Sequence, residues 1–124
     1  MTKILVADDE AQLALAIKIR LQAKGYEVRL ASDGRQALEL IAQDKPDLLL
    51  LDILMPNIDG YACLRELNQL YGRGKLAVII LTARDRMKEL FELEGIEDYI
   101  IKPFDHEDLL LRIERVLKRR SGEK

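Results

Sequence analysis

The sequence predicts an α/β protein in which a parallel sheet lies buried between layers of helix. Two observations carry this. Short apolar runs of strand length recur along the chain, and most are continuous rather than alternating, as expected of strands covered on both faces. Stretches with helical spacing lie between them, so strand and helix alternate throughout, and that order points to parallel strands joined by crossover helices.

The elements follow in order. The strands are "ILVA" (4–7), "VRLA" (28–31), "LLLL" (48–51), "AVIIL" (77–81) and "YII" (99–101). A first helix spans 11–23, with Leu13, Ile17 and Leu21 on its inward face and Gly25 as its stop. On that reading Leu15 and Ile19 point away from the core, one turn apart. A second helix covers about 35–43, with Ala37, Leu38 and Ile41 on one face and Pro46 beyond its end. A third spans 60–70, and a fourth spans about 85–94, closed by Gly95. The fifth, 105–119, opens on Asp105 as N-cap with Asp108 three residues on; Leu109, Leu110, Ile113 and Leu117 form its apolar stripe. "SDG" (32–34) reads as a turn and N-cap.

With 124 residues, the chain suits a single domain. Its net charge of −2 and pI near 5.5 argue against nucleic-acid binding by this chain alone. The one basic cluster, "LKRRSGEK" (117–124), reads as a solvated helix end favoured by the helix dipole or, less simply, as the start of a linker. A single cysteine, Cys63, cannot form an internal disulfide, which fits a reducing, cytoplasmic compartment. Its flanks offer no metal or nucleophile spacing. The apolar runs are too short to span a bilayer, and no secretory leader opens the chain.

In such sheets, sites form beyond the carboxyl ends of the strands. Asp8, Asp9 and Glu10 follow the first strand, Asp52 the third, Thr82 and Ala83 the fourth, and Lys102 and Pro103 the fifth. Carboxylates gathered in one pocket raise each other's pKa unless a cation neutralises them. Oxygen donors without His or Cys favour Mg2+ over zinc, and Mg2+ leaves room for a phosphate oxygen. Lys102 supplies a point charge and Thr82 a hydroxyl for the same phosphate. A carboxylate beside the metal can be the nucleophile that forms an acyl phosphate.

"DDE" (8–10), "LLLLDILMPNIDG" (48–60), "ILTAR" (80–84) and "DYIIKPF" (98–104) together resemble the receiver domain of bacterial two-component response regulators, over nearly the whole chain. The resemblance implies a flavodoxin-like (βα)5 sheet of order 2-1-3-4-5, with a receiver domain over 1–120 and a short polar tail over 121–124. It implies Asp52 as phosphoacceptor, Asp9 and the Leu54 carbonyl as further Mg2+ ligands, and Asp8 acting on the metal through water. Thr82, Ala83 and Lys102 contact the phosphoryl group, and Tyr99 turns inward when Thr82 is drawn to it. The Lys102–Pro103 bond is expected cis, and Met55, Pro56 and Gly60 shape the loop after Asp52. A histidine kinase or histidine phosphotransfer protein donates the phosphoryl group, with Leu15 and Ile19 as candidate docking anchors. A downstream protein target reads a change on the face formed by the fourth helix, fifth strand and fifth helix. Either a monomer or a weak phosphorylation-dependent dimer follows, with no direct nucleic-acid contact and no membrane insertion.

The sequence departs from the family pattern in places. The stretch from Thr82 to Lys102 is slightly short, which predicts a short or displaced fourth helix. Leu54 and Arg84, two places after Asp52 and Thr82, stand where relatives tune phosphate loss. An apolar Leu54 cannot orient water, so self-dephosphorylation is expected to be slow. Glu97, Asp98, Asp108 and Arg112 partly match an intersubunit charge network of dimerising relatives, but Glu114 stands where those carry a base. Solvated charges of little energetic weight are the plainer expectation. Two other readings compete: a small Mg2+-dependent aspartyl-phosphate phosphohydrolase, and a flavin carrier on the same fold. Leu54 cannot serve the first as a general acid, and acids at the first strand end repel a flavin phosphate. The receiver half of a truncated transcription regulator is a further alternative.

Overall fold

The computed structural model describes residues 1–55, 59–83 and 93–122. Five parallel strands form one sheet in the order β2-β1-β3-β4-β5. They are β1 (Lys3–Ala7), β2 (Glu27–Ala31), β3 (Leu48–Asp52), β4 (Ala77–Ala83) and β5 (Asp98–Lys102). The register sets Ala7 beside Leu51 and Ala31, Asp52 beside Leu81, and Ala83 beside Lys102. The C-terminal ends of β1, β3, β4 and β5 therefore lie level along one edge. This is the flavodoxin-like order that the resemblance implied.

β3 is central and wholly buried. Leu48 to Leu51 show no measurable exposure, and each is worth about 1.5–3 kcal/mol of burial. Alternation along the strands divides the interior into two cores. One side holds Leu5, Ala7, Leu49, Leu51, Val78 and Ile80 under α2 (Gly34–Gln43) and α3 (Gly60–Tyr71). The other holds Ile4, Val6, Leu48, Leu50, Ile79 and Leu81 under α1 (Ala11–Ala23) and α4 (His106–Ser121).

The helix ends follow local chemistry. Asp33, Asp59 and Asp105 cap α2, α3 and α4, their carboxylates accepting from the amides of Gln36 (2.8 Å), Ala62 (2.9 Å) and Glu107 (2.9 Å). Gly25 follows α1 at φ 92°, where a side chain is strained, and its amide donates to the Gln22 carbonyl. No helix among the described residues is long and apolar enough to cross a membrane.

Several sequence expectations need correction. α1 turns Ala14, Ile17 and Leu21 fully inward, while Leu13 is only half-buried at its flank. Asp108 does not complete a capping box; it pairs with Arg112 Nε at 3.2 Å. Arg112 also reaches Asp98 (2.9 Å) and the Tyr99 carbonyl (3.0 Å), so these charges bond within one chain. The basic cluster is more than a solvated end. Glu97 takes Arg119 and Arg120, each at 2.8 Å, and Arg120 also donates to the carbonyls of Gly74 and Lys75. α4 runs on to Ser121, two residues past the expected end. The expected fourth helix over 85–94 falls almost wholly outside the described residues, as do Pro56 and Arg84.

Candidate functional site

The register brings the ends of β1, β3 and β5 together. Asp8 follows Ala7, Asp52 ends β3 and Lys102 ends β5. By strand alternation all three project toward the α1 and α4 side. Asp8 and Asp52 are buried, at 2% and 6% exposure, which is rare for carboxylates without partners. Their shared partner is the Lys102 ammonium, 2.8 Å from Asp8 Oδ2, 3.3 Å from Asp52 Oδ2 and 2.7 Å from Glu10 Oε1. Asp8 Oδ1 accepts from the Glu10 amide at 2.8 Å, and Asp52 Oδ1 accepts from the Leu54 amide at 3.2 Å.

Among the described residues, three carboxylates surround one ammonium. Burial, and then the neighbouring Asp8, push the Asp52 carboxyl up to about 6, although Lys102 and the Leu54 amide pull it down. Burial works against the charge on Lys102. Hydrogen bonds to Asp8 and Glu10, with the charges of Asp52 and Asp8, outweigh that and raise its pKa. Oxygens of Asp8, Glu10 and Asp52 lie within 4.8 Å of one another. Asp8 Oδ2 has the Lys102 ammonium at 2.8 Å and no further partner among the described residues. Buried carboxylate oxygens gathered this closely suit a hard divalent cation such as Mg2+.

Gly60 fixes the loop that follows Asp52. Its amide donates to the Ile53 carbonyl at 2.8 Å. A Cβ on Gly60 would sit 2.5 Å from the Asp52 carbonyl oxygen and 2.6 Å from Ile53 Cα, so only glycine permits this approach. Met55 is buried.

Of the remaining sequence candidates, Thr82, Ala83 and Pro103 lie on the same sheet edge. Thr82 is buried one position beyond the partner of Asp52, its hydroxyl donating to the Ala83 carbonyl at 3.2 Å. Asp9 is exposed and stands outside the acidic grouping, whereas Glu10 stands in it. The Leu54 and Tyr99 side chains face solvent, at 46% and 38% exposure. The Lys102–Pro103 bond is cis. Leu15 and Ile19 are exposed on α1, as the helical spacing predicts. A cleft of about 560 Å³ opens beside Lys102, lined by Leu13, Ala83, Pro103, Phe104 and His106. Cys63 is buried away from the site, its thiol pushed up to about 12 by burial and the nearby Glu66 and Asp59.

Sequence reasoning missed Glu10 as a partner of Lys102. The only signal was its place in the acidic triplet.

Comparison with known proteins gives one answer. The family model for the response regulator receiver domain matches residues 4–114. Response regulator MprA of Mycobacterium tuberculosis is 43% identical over 124 residues, covering 98% of this chain and 53% of its own length. Response regulator MprA of Mycolicibacterium vanbaalenii is 42% identical over 119 residues, covering 94% and 51%. The chain thus spans about half the length of these curated relatives. Among solved structures, the receiver domain of a Francisella response regulator superposes with a TM-score of 0.85 at 33% identity, covering 97% of this chain and 99% of its own. A CheY-like receiver domain protein of Methanospirillum hungatei gives 0.87 at 28%, covering 100% and 99%. The fold, the acidic edge and the sequence matches agree, and the chain belongs to the response regulator receiver domain family.

Proposed function

We propose that Asp52 accepts a phosphoryl group from a histidine kinase or histidine phosphotransfer protein, and that the acyl phosphate switches the protein between partner-binding states. The observation that carries this is the buried Asp52 carboxylate at a strand end, 3.3 Å from the Lys102 ammonium and within an acidic pocket. Asp9, Asp52 and the Leu54 carbonyl would hold Mg2+, with Asp8 acting through water; Glu10 stands in the same grouping. The metal, when bound, supplies positive charge that lets a carboxylate approach a phosphoryl group.

The chain's own residues position and neutralise. An Asp52 carboxylate oxygen attacks the donor phosphorus; the new O–P bond forms as the donor N–P bond breaks. The imidazole nitrogen keeps the electron pair and then takes a proton. Lys102 moves its charge from the carboxylates to the phosphoryl oxygens, and Thr82 turns its hydroxyl from the Ala83 carbonyl toward the same group. The space vacated by Thr82 takes Tyr99, whose ring is now exposed. The donor docks over Leu15 and Ile19, with the cleft beside Lys102 admitting its imidazole. The apolar Leu54 beside Asp52 leaves the acyl phosphate slow to hydrolyse. A cytoplasmic location fits this chemistry. A second reading rests on length: this sequence is the receiver half of a longer transcription regulator, whose output domain reads the same switch.

Intact mass after incubation with acetyl phosphate tests the reading. Wild type with Mg2+ is expected to gain one phosphoryl group that persists through desalting. Neither Asp52→Asn nor wild type in chelator gains it. The double variant Leu15→Asp, Ile19→Asp still takes phosphate from acetyl phosphate but loses transfer from its protein donor. Equal labelling of Asp52→Asn removes Asp52 as the acceptor.

A further inference from the structure

α1 is the one described helix whose N-cap side chain does not cap. Asp33, Asp59 and Asp105 each bond an amide in the first turn of their helices, but the Glu10 side chain makes no such bond. It reaches instead across 92 positions of sequence to Lys102, at 2.7 Å. This is the shortest of that ammonium's three carboxylate contacts, the others being 2.8 and 3.3 Å.

The three partners differ in their access to water. The side chain of Asp8 is 0% exposed, that of Asp52 is 8% and that of Glu10 is 61%. An ion pair with so exposed a carboxylate adds little to stability. Its use lies in where it places the charge. A cation entering between Asp8 and Asp52 meets an ammonium already between them, and the two positive charges repel. The Oδ2 atoms that Lys102 holds on Asp8 and Asp52 become free for a metal only as Lys102 yields them. Glu10 lies on the solvent side of the same ammonium, already in contact with it.

Building on the Mg2+ reading above, we propose that Glu10 is a positioning residue that holds the Lys102 ammonium as it yields Asp8 and Asp52 to the metal. The pocket then works by cation exchange, with Lys102 kept near and not lost to solvent. Both the reach and the charge of Glu10 are needed. An aspartate is one methylene shorter, and at an N-cap its carboxylate is drawn to the first-turn amides.

Calorimetric Mg2+ titration of wild type, Glu10→Gln and Glu10→Asp, each checked for an unchanged thermal midpoint, tests this. NMR of the Lys102 ammonium in the same titration follows where its charge goes. Glu10→Gln is expected to weaken Mg2+ binding about five- to tenfold, and Glu10→Asp is expected to stay weakened. In wild type the Lys102 ammonium signal stays protected from water exchange as Mg2+ binds; in Glu10→Gln that protection is lost. Binding in Glu10→Gln within about twofold of wild type, or full recovery in Glu10→Asp, overturns the proposal while leaving the Mg2+ site intact. Absence of Mg2+ binding in wild type overturns the metal reading itself, and the proposal with it.

Discussion

The two ends of β5 carry opposite electrostatic arrangements. At the C-terminal end, three carboxylates share the single ammonium of Lys102. At the N-terminal end, the single carboxylate of Glu97 holds the guanidiniums of Arg119 and Arg120, and the carbonyls of Gly74 and Lys75 take up further donors of Arg120. The excess positive charge at Glu97 is absorbed by backbone oxygens and by water. The negative charge at Asp8 and Asp52 is buried and meets, besides Lys102, only the amides of Glu10 and Leu54 among the described residues. On the proposed reading this is the end that takes a cation and a phosphoryl group from outside.

Removing Lys102 should have the largest effect. Lys102→Met takes from Asp8 and Asp52 the one counter-charge they have among the described residues, and a loss of about 3 kcal/mol is expected from urea unfolding in chelator. Mg2+ should recover more stability in the variant than in wild type, because it supplies the missing charge.

Next comes the charge on Asp52. Its folded pKa of about 6 lies above the unfolded value of 3.8. Between these values the folded state binds more protons, so metal-free stability falls as pH rises from about 4 through about 6. Asp52→Asn removes that loss. The variant should be the more stable at pH 8 in chelator, converging with wild type below pH 4. Mg2+ should narrow the gap by binding wild type. A wild type that gains stability across this window would break the comparison.

The smallest effect belongs to the complete end. Glu97→Gln keeps the Arg120 contacts to carbonyls and loses two partly exposed ion pairs, a cost of about 1 kcal/mol. Chemical denaturation should show the same cost with and without Mg2+.

Much of this was legible in local sequence. Apolar runs marked all five strands; those of the central β1, β3 and β4 are continuous because a strand buried on both faces leaves no polar alternation, while β2 and β5 at the edges are only partly buried. Gly25, Asp33 and Asp105 marked helix ends through backbone chemistry that depends only on near neighbours. The site was legible through the strand ends, since parallel strands bring Asp8, Asp52 and Lys102 to one edge. What stayed hidden depends on distant partners. The Glu10–Lys102 contact and the Arg120–Gly74 contact join residues 92 and 46 positions apart, and no spacing rule announces such pairs. Leu13 packs against the core only partly buried, whereas Ala14, small and unremarked in the sequence, is fully buried.

The arginines of α4 have a mechanical consequence. Arg112 fastens the helix to Asp98 and to the Tyr99 carbonyl, and Arg119 and Arg120 fasten it to Glu97. The helix is thus riveted to the starting half of β5 at points more than a turn apart, which resists both sliding and rolling. A displacement of α4 would therefore either break these pairs or carry the start of β5 with it.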